Sequence, residues 1–215
     1  YYTKHLQKAR TGLVNLAAST VTNKEAIFAL LYHFRNVPGL VYVIGRIQEG
    51  NGHDGSGHHP IQRDALPGVM GELLTAYYFE QEEGLTIALF SLSVPHLESE
   101  IDILAHKDGQ GYAIEAKNMQ TLLEPEEVEK QVRRYDSLLE RVERTGFFSR
   151  IGPLSGLSAL PYEIVYAQTH PTHESYRQGI LENVGPALLE RHGVQFVQVP
   201  VFYHRRYAFI ESEYI

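Results

Sequence analysis

The stretch that decides the fold runs Glu100-Ile-Asp-Ile-Leu-Ala-His106, Lys107-Asp-Gly-Gln-Gly111, Tyr112-Ala-Ile-Glu-Ala-Lys117. Its outer segments alternate in polarity and its middle is a turn signal, so together they read as a β-hairpin. Side chains two apart on a strand share a face. Glu115 and Lys117 therefore project together beyond Ala113, while Tyr112, Ile114 and Ala116 face the other way. On the partner strand, Ile101 and Ile103 are expected on the opposite face from Asp102, which keeps its own side. A hairpin that sets these faces side by side brings two carboxylates and an ammonium together.

Outward from the hairpin, Thr86 to Val94 is a mostly apolar run with the character of a buried strand. Pro67 to Gln81 before it predicts a helix, with Pro67 in the first turn, Gly84 beyond the end and Glu72 near the start. After the hairpin a long helix opens on Glu124-Pro125-Glu126-Glu127 and ends near Arg141, Arg144 and Gly146, charges that suit the helix dipole. Its expected apolar stripe is Val128, Val132, Tyr135, Leu139 and Val142. Tyr162 to Gln168 predicts a strand, Glu174 to Arg191 a helix and Val194 to Val201 a strand. From residue 67 the order is α-β-β-β-α-β-α-β, an α/β core whose mixed sheet carries helices on both faces.

Residues 1–66 read as an N-terminal helical arm and a flexible loop packed on the 67–215 core. Leu6 to Ala18 is one helix candidate, and Asn23 to Arg35, with Ile27, Leu30, Leu31 and Phe34 at helical spacing, is another. Leu40 to Ile47 reads as a strand. Gly50 to Pro60 holds four glycines and three histidines and reads as the loop.

Composition limits the classes. The 215 residues carry 19 Lys and Arg against 26 Asp and Glu, a formal charge of −7, with a pI near 5.9. That balance argues against coating nucleic acid by bulk charge and leaves a local groove as the alternative. With 43% hydrophobic and 21% charged residues the chain belongs with globular domains rather than disordered ones. The absence of Cys removes disulfides, thiolate metal sites and thiol nucleophiles. No apolar run approaches the roughly 18 residues of a membrane span, so a soluble protein without a membrane partner is expected. A first residue of Tyr1 rather than Met points to a processed chain or a piece of a longer one. Two locations stay open: the cytoplasm, or delivery from a larger secreted polypeptide.

Two carboxylates held close repel each other, and a divalent cation relieves the repulsion. Mg²⁺ suits such a pair, because it takes one or two protein carboxylates and fills its other positions with water and phosphate oxygens. The ion can polarise a phosphoryl group and acidify a bound water, while Lys117 orients that water or stabilises developing charge. The chemistry indicated is phosphodiester hydrolysis.

With Glu72 on the preceding helix, Asp102 in Glu100-Ile-Asp-Ile-Leu104 and the run Ile114-Glu-Ala-Lys-Asn118, the sequence resembles the PD-(D/E)XK nuclease superfamily and its restriction-endonuclease-like fold. The resemblance implies Mg²⁺, with Mn²⁺ as substitute, held by Asp102, Glu115 and the Ala116 carbonyl. It further implies Lys117 assisting the attacking water and Glu72 supporting the metal through a water. Gln131-Val-Arg-Arg-Tyr135 resembles the Gln-x-x-x-Tyr element of several nuclease branches, its ends one helical turn apart. Motifs cover residues 67 to 136, and the element order extends the likeness to about 200. The superfamily's Pro-Asp dipeptide is absent, Ile101 standing before Asp102, a common departure.

The implied activity is that of a metal-dependent endonuclease, on DNA in first place, as a restriction or repair-type enzyme or a toxin nuclease domain. An RNA-cleaving, tRNA-directed toxin is an alternative. The implied partner is nucleic acid, alongside a second copy in a homodimer or an immunity or inhibitor protein. A catalytically inactive nuclease-like binding module is a further alternative, against which the filled charged positions argue. A phosphatase-like hydrolase of small substrates fits the order around Asp102 less well.

Plainer readings stand beside these. Arg133 has Glu129 and Asp136 one turn away and needs no ligand, whereas Arg134 follows Lys130 and is freer to meet phosphate. Gln131, Arg134 and Tyr135 are thus the candidate substrate-binding residues, although Tyr135 also suits the apolar stripe. His53, His58 and His59 invite a zinc reading, but a glycine-rich loop without cysteines reads better as a loop. His204-Arg205-Arg206 offers a basic exit able to touch phosphate, and the 14 tyrosines suit packing as much as base stacking.

Overall fold

The structure is a computed structural model that describes residues 24–48, 66–93, 100–117, 125–168 and 193–199. Helix α1 spans Lys24–His33, α2 Leu40–Gln48 and α3 Leu66–Gln81, followed by strands β1 (Thr86–Ser93), β2 (Glu100–Lys107) and β3 (Gln110–Lys117). Helix α4 (Pro125–Thr145) and two 3₁₀ segments, Phe148–Arg150 and Gly152–Ala159, lead to β4 (Tyr162–Gln168), and β5 is Val194–Gln198. Among the described residues no helix is long and apolar enough to cross a membrane.

The five strands form one mixed sheet in the order β1-β2-β3-β4-β5. β1, β2 and β3 pair antiparallel, and β3, β4 and β5 pair parallel. The expected hairpin forms, and within the Lys107–Gly111 turn signal the turn narrows to two residues, Asp108 at φ 50° and Gly109 at φ 83°. Two consecutive left-handed residues match the strand twist, which is why Asp-Gly suits this position. The parallel β3–β4 pairing needs a crossover, and α4 with the 3₁₀ segments supplies it.

Helices cover both faces. On one, Leu30, Leu31 and Phe34 of α1, Leu40, Val43 and Ile44 of α2, and Leu73, Leu74 and Phe79 of α3 share a core with Phe90, Ile103, Ile114 and Val165 of the sheet. On the other, Tyr135, Leu138 and Val142 of α4 and Phe148, Leu154 and Leu157 of the 3₁₀ segments pack on Leu89, Leu92, Leu104 and Ala113. Within α4, Val132, Tyr135 and Val142 are buried as expected, but Leu138 takes the central place and Leu139 is half-buried. The side chain of Val128 lies outside the described set.

One element differs from the sequence expectation. Residues 40–47 form helix α2 rather than a strand. The β-branched Val41, Val43 and Ile44 favour extended backbone locally, yet Leu40, Val43 and Ile44 lie at the i, i+3, i+4 spacing that buries one helical stripe against α3 and β1. The last strand ends at Gln198 rather than Val201. The expected helices at 6–18 and 174–191, the loop with His53, His58 and His59, and His204 to Arg206 fall outside the described residues.

The arm docks on β1 through close backbone contact. The Phe90 N–H donates to the Pro38 carbonyl at 2.9 Å, and Gly39 follows at φ 83°, where a Cβ would stand 1.7 Å from the Phe90 carbonyl oxygen. Only glycine satisfies both the left-handed torsion and this approach. Gly39→Ala is therefore expected to cost at least about 2 kcal/mol, read as a lower urea midpoint at unchanged m-value.

Candidate active site

The β2–β3 ladder runs from Lys107 opposite Gln110 to Ile103 opposite Ile114. Next along, a side chain takes over, as the Ala116 N–H donates to Asp102 Oδ2 at 2.9 Å. Here the simple alternation expected of β2 breaks. Ile103 packs on the α3 side, but Ile101 is buried on the α4 side with Leu92, its partner on β1. The same break runs through β1, where Ser91 sits at φ 54° between Phe90, packed on the α3 side with Ile103, and Leu92, packed on the α4 side with Ile101. A left-handed non-glycine residue inside a strand is costly and tends to occur where function needs it.

Glu115 is the hub of the site. It is 2% exposed on the α4 face of β3 and surrounded by donors. Tyr135, fully buried on α4, donates its hydroxyl to Glu115 Oε2, and Gln131 one turn earlier donates its amide to the same oxygen at 3.2 Å. Lys117 forms an ion pair with Glu115 Oε1. Glu115 and Lys117 thus stand on one face, as strand parity requires, and the Gln131–Tyr135 turn closes over them.

A second pair comes from the arm. Arg46 of α2 meets Glu72 of α3 with both terminal nitrogens, one at 2.8 Å, and also donates to Ser91 Oγ at 3.1 Å. Glu100 Oε1 lies 4.0 Å from the same guanidinium. Glu72 is only 4% exposed, and this bidentate pairing offsets part of the cost of burying its charge. Arg46 was not singled out in the sequence, because its segment was read as a strand. The helical spacing of Leu40, Val43 and Ile44 is the signal that places it beside α3.

The charge states follow from these contacts. Four carboxylates, Glu72, Glu100, Asp102 and Glu115, face two cations, Arg46 and Lys117. Burial, then Glu115 and Glu72, raise Asp102 well above the ordinary carboxylate range, against the opposing pull of the Ala116 N–H and Lys117. Burial raises Glu72 to about 7 even though Arg46 pulls it down. Burial lowers Lys117, but Glu115, Asp102 and Glu72 outweigh it and hold the ammonium above its usual value. Tyr135, desolvated and beside two carboxylates, is pushed well up and stays a neutral donor.

Of the residues indicated by sequence, Asp102, Glu115, Lys117, Gln131 and Tyr135 form one constellation, with Ala116 between the two carboxylates. Glu72 joins it electrostatically, its oxygens taken by Arg46. Arg134 is exposed on the outer flank of α4, while Arg133 pairs with Glu129 as expected of a surface ion pair. Among the described residues no group of three or more His, Asp or Glu side chains is arranged to hold a metal ion. Mg²⁺ asks for less, since two carboxylates with water and phosphate suffice. Asp102 and Glu115 are the pair that could supply them, within a cluster of four carboxylates and two cations. Comparison of the chain with protein-family models, curated proteins and solved structures gives no match.

Two outcomes are expected without metal. Tyr135→Phe leaves Glu115 Oε2 with the Gln131 amide alone and should cost roughly 1–3 kcal/mol in urea unfolding. Native Glu72 keeps its proton to higher pH than an unfolded glutamic acid, so the native state binds more protons between 4.5 and about 7. Stability is present below this window and lost as pH rises through it. In chelator, the urea midpoint of the wild type should fall relative to that of Glu72→Gln across that range.

Proposed function

We propose that the protein is a metal-dependent endonuclease of the PD-(D/E)XK type that hydrolyses phosphodiester bonds in DNA. The observation that supports this reading is the meeting of Asp102 with the Glu115–Lys117 pair where the β2–β3 ladder ends. In this reading Asp102, Glu115 and the Ala116 carbonyl hold Mg²⁺, or Mn²⁺ in its place. When bound, the ion supplies Lewis-acid polarisation of the phosphoryl group and a more acidic water.

The chain's own residues do the rest. Lys117 is held cationic, so its part is to orient the attacking water and stabilise charge on the phosphate rather than to take a proton. Tyr135 and Gln131 fix the Glu115 carboxylate, a supporting role that suits side chains on a rigid helix. Glu72 contributes charge shaped by Arg46 rather than a ligand. Arg134, exposed on α4 beyond Gln131, meets the substrate backbone. The acidic total confines nucleic acid to this local surface.

The test is incubation with supercoiled plasmid, single-stranded DNA and tRNA, in Mg²⁺, Mn²⁺ or chelator. Cleavage of DNA is expected with either metal and none in chelator. Asp102→Asn and Lys117→Ala should each lose at least about a hundredfold in rate while remaining folded by circular dichroism. Mg²⁺ should also raise the melting temperature of the wild type and leave that of Asp102→Asn unchanged, because a ligand of the native state alone stabilises it. Substrates left intact by the folded, metal-supplied protein would turn the reading to a non-catalytic binding module, and cleavage of tRNA alone to an RNase.

A further inference from the structure

Tyr166 lies on β4 directly beside Glu115, its register partner on β3. Partners across a parallel ladder share a face, so both side chains rise toward α4. The ring is 4% exposed and packs against Val132 of α4 and Val194 of β5. It stacks on Phe196, its register partner on β5, with centroids 5.9 Å apart and planes 13° from parallel. The ring is therefore packed between neighbours and its hydroxyl is buried from water. Among the described residues that buried hydroxyl finds no hydrogen-bond partner. Burial pushes its acidity far from the physiological range, with Glu115 and then Asp102 adding to the shift, so it lies within electrostatic reach of both and remains a donor.

A buried donor without an acceptor is costly, and in native proteins such a group calls for an explanation. The surroundings supply one. Glu115 Oε2 already receives two donors, whereas among the described residues Oε1 is held by Lys117. Lys117 is also the group whose ammonium has to reach the water or the phosphate. Once it turns away, Oε1 is left without its donor.

We infer that Tyr166 is a positioning residue that acts through Glu115: its hydroxyl takes over Glu115 Oε1 when Lys117 moves to the substrate. The inference rests on the nuclease reading. No bond is made or broken in this exchange, and the phenol keeps its proton throughout. Tyr166 thereby keeps Glu115 aligned during the step in which Lys117 is engaged elsewhere, and it touches no substrate.

The test compares Tyr166→Phe with Tyr162→Phe in the full chain. Tyr162 stands four residues earlier on the same strand and face, but its hydroxyl has a partner, donating to the Leu157 carbonyl at 3.2 Å. Cleavage of a labelled DNA duplex in Mg²⁺ is followed with kcat and KM separated, and melting temperatures are taken in chelator. Tyr166→Phe should keep or raise the melting temperature, leave KM unchanged and lower kcat roughly ten- to a hundredfold, the range for one hydrogen bond to a charged group. Tyr162→Phe should do the reverse, with a lower melting temperature and unchanged kcat. Full kcat in Tyr166→Phe beside an active wild type overturns this inference and leaves the nuclease reading standing. A lower melting temperature in Tyr166→Phe also overturns it, since the hydroxyl would then have a partner already. A folded wild type that cuts no DNA overturns the nuclease reading and this inference with it.

Discussion

Burying the Glu115 carboxylate is the constraint on which the rest of the structure turns. An ion taken from water costs several kcal/mol unless its oxygens are met by donors, and here three donors meet them. Lys117 arrives along the same strand, and Gln131 and Tyr135 arrive from the helix above. This fixes more than a side chain. It sets the rotation of α4 about its axis, because Tyr135 reaches the carboxylate only if Leu138 and Val142 are turned onto Leu104 and Ala113. A polar requirement and an apolar one are thus satisfied by a single helix orientation.

The opposite face is organised by a second buried ion pair with a different ancestry in the chain. Glu72 belongs to α3, but its counter-ion belongs to α2, so the arm is a structural part of the charged centre. The two pairs differ in geometry. Arg46 grips Glu72 through a planar fork, which fixes angle as well as distance, whereas Lys117 is a point charge on a flexible stem. The arginine pair is the natural fixed element and the lysine the natural moving one. Between them lie the left-handed Ser91 and the end of the β2–β3 ladder, where Asp102 bonds the Ala116 N–H through its side chain.

Much of this was legible in the sequence, for identifiable reasons. The hairpin was readable because an Asp-Gly turn and period-2 alternation are both local, and parity then placed Glu115 and Lys117 together without knowledge of the sheet. The Gln131–Tyr135 spacing gave a shared helical face, and Glu115 proved to be what that face touches. Helix α2 was misread because three β-branched residues in a short span mimic a strand, and only packing against α3 shows which periodicity prevails. Arg46 was lost with it. The place of Tyr166 beside Glu115 was not recoverable, since it depends on a parallel register set by a crossover of more than forty residues. The turn at Ser91 left no trace either, because serine is unremarkable in a strand and its torsion is imposed by surroundings distant in sequence. The resemblance to PD-(D/E)XK nucleases pointed to Asp102, Glu115 and Lys117, and these are the groups the fold brings together. Their reaction is a matter for the assays above.

The hydrogen bond from Phe90 to Pro38 has a second meaning. Among the described residues β1 is an edge strand of the sheet, and a border of this kind presents unsatisfied amides that invite another polypeptide to add on. The segment before α2 occupies part of that border with a proline, which has no N–H to pass the ladder onward. The arm thus serves as a selvedge as well as a source of charge. A version of this protein trimmed to begin at α3 would bare an apolar fringe and be prone to fibrous self-association.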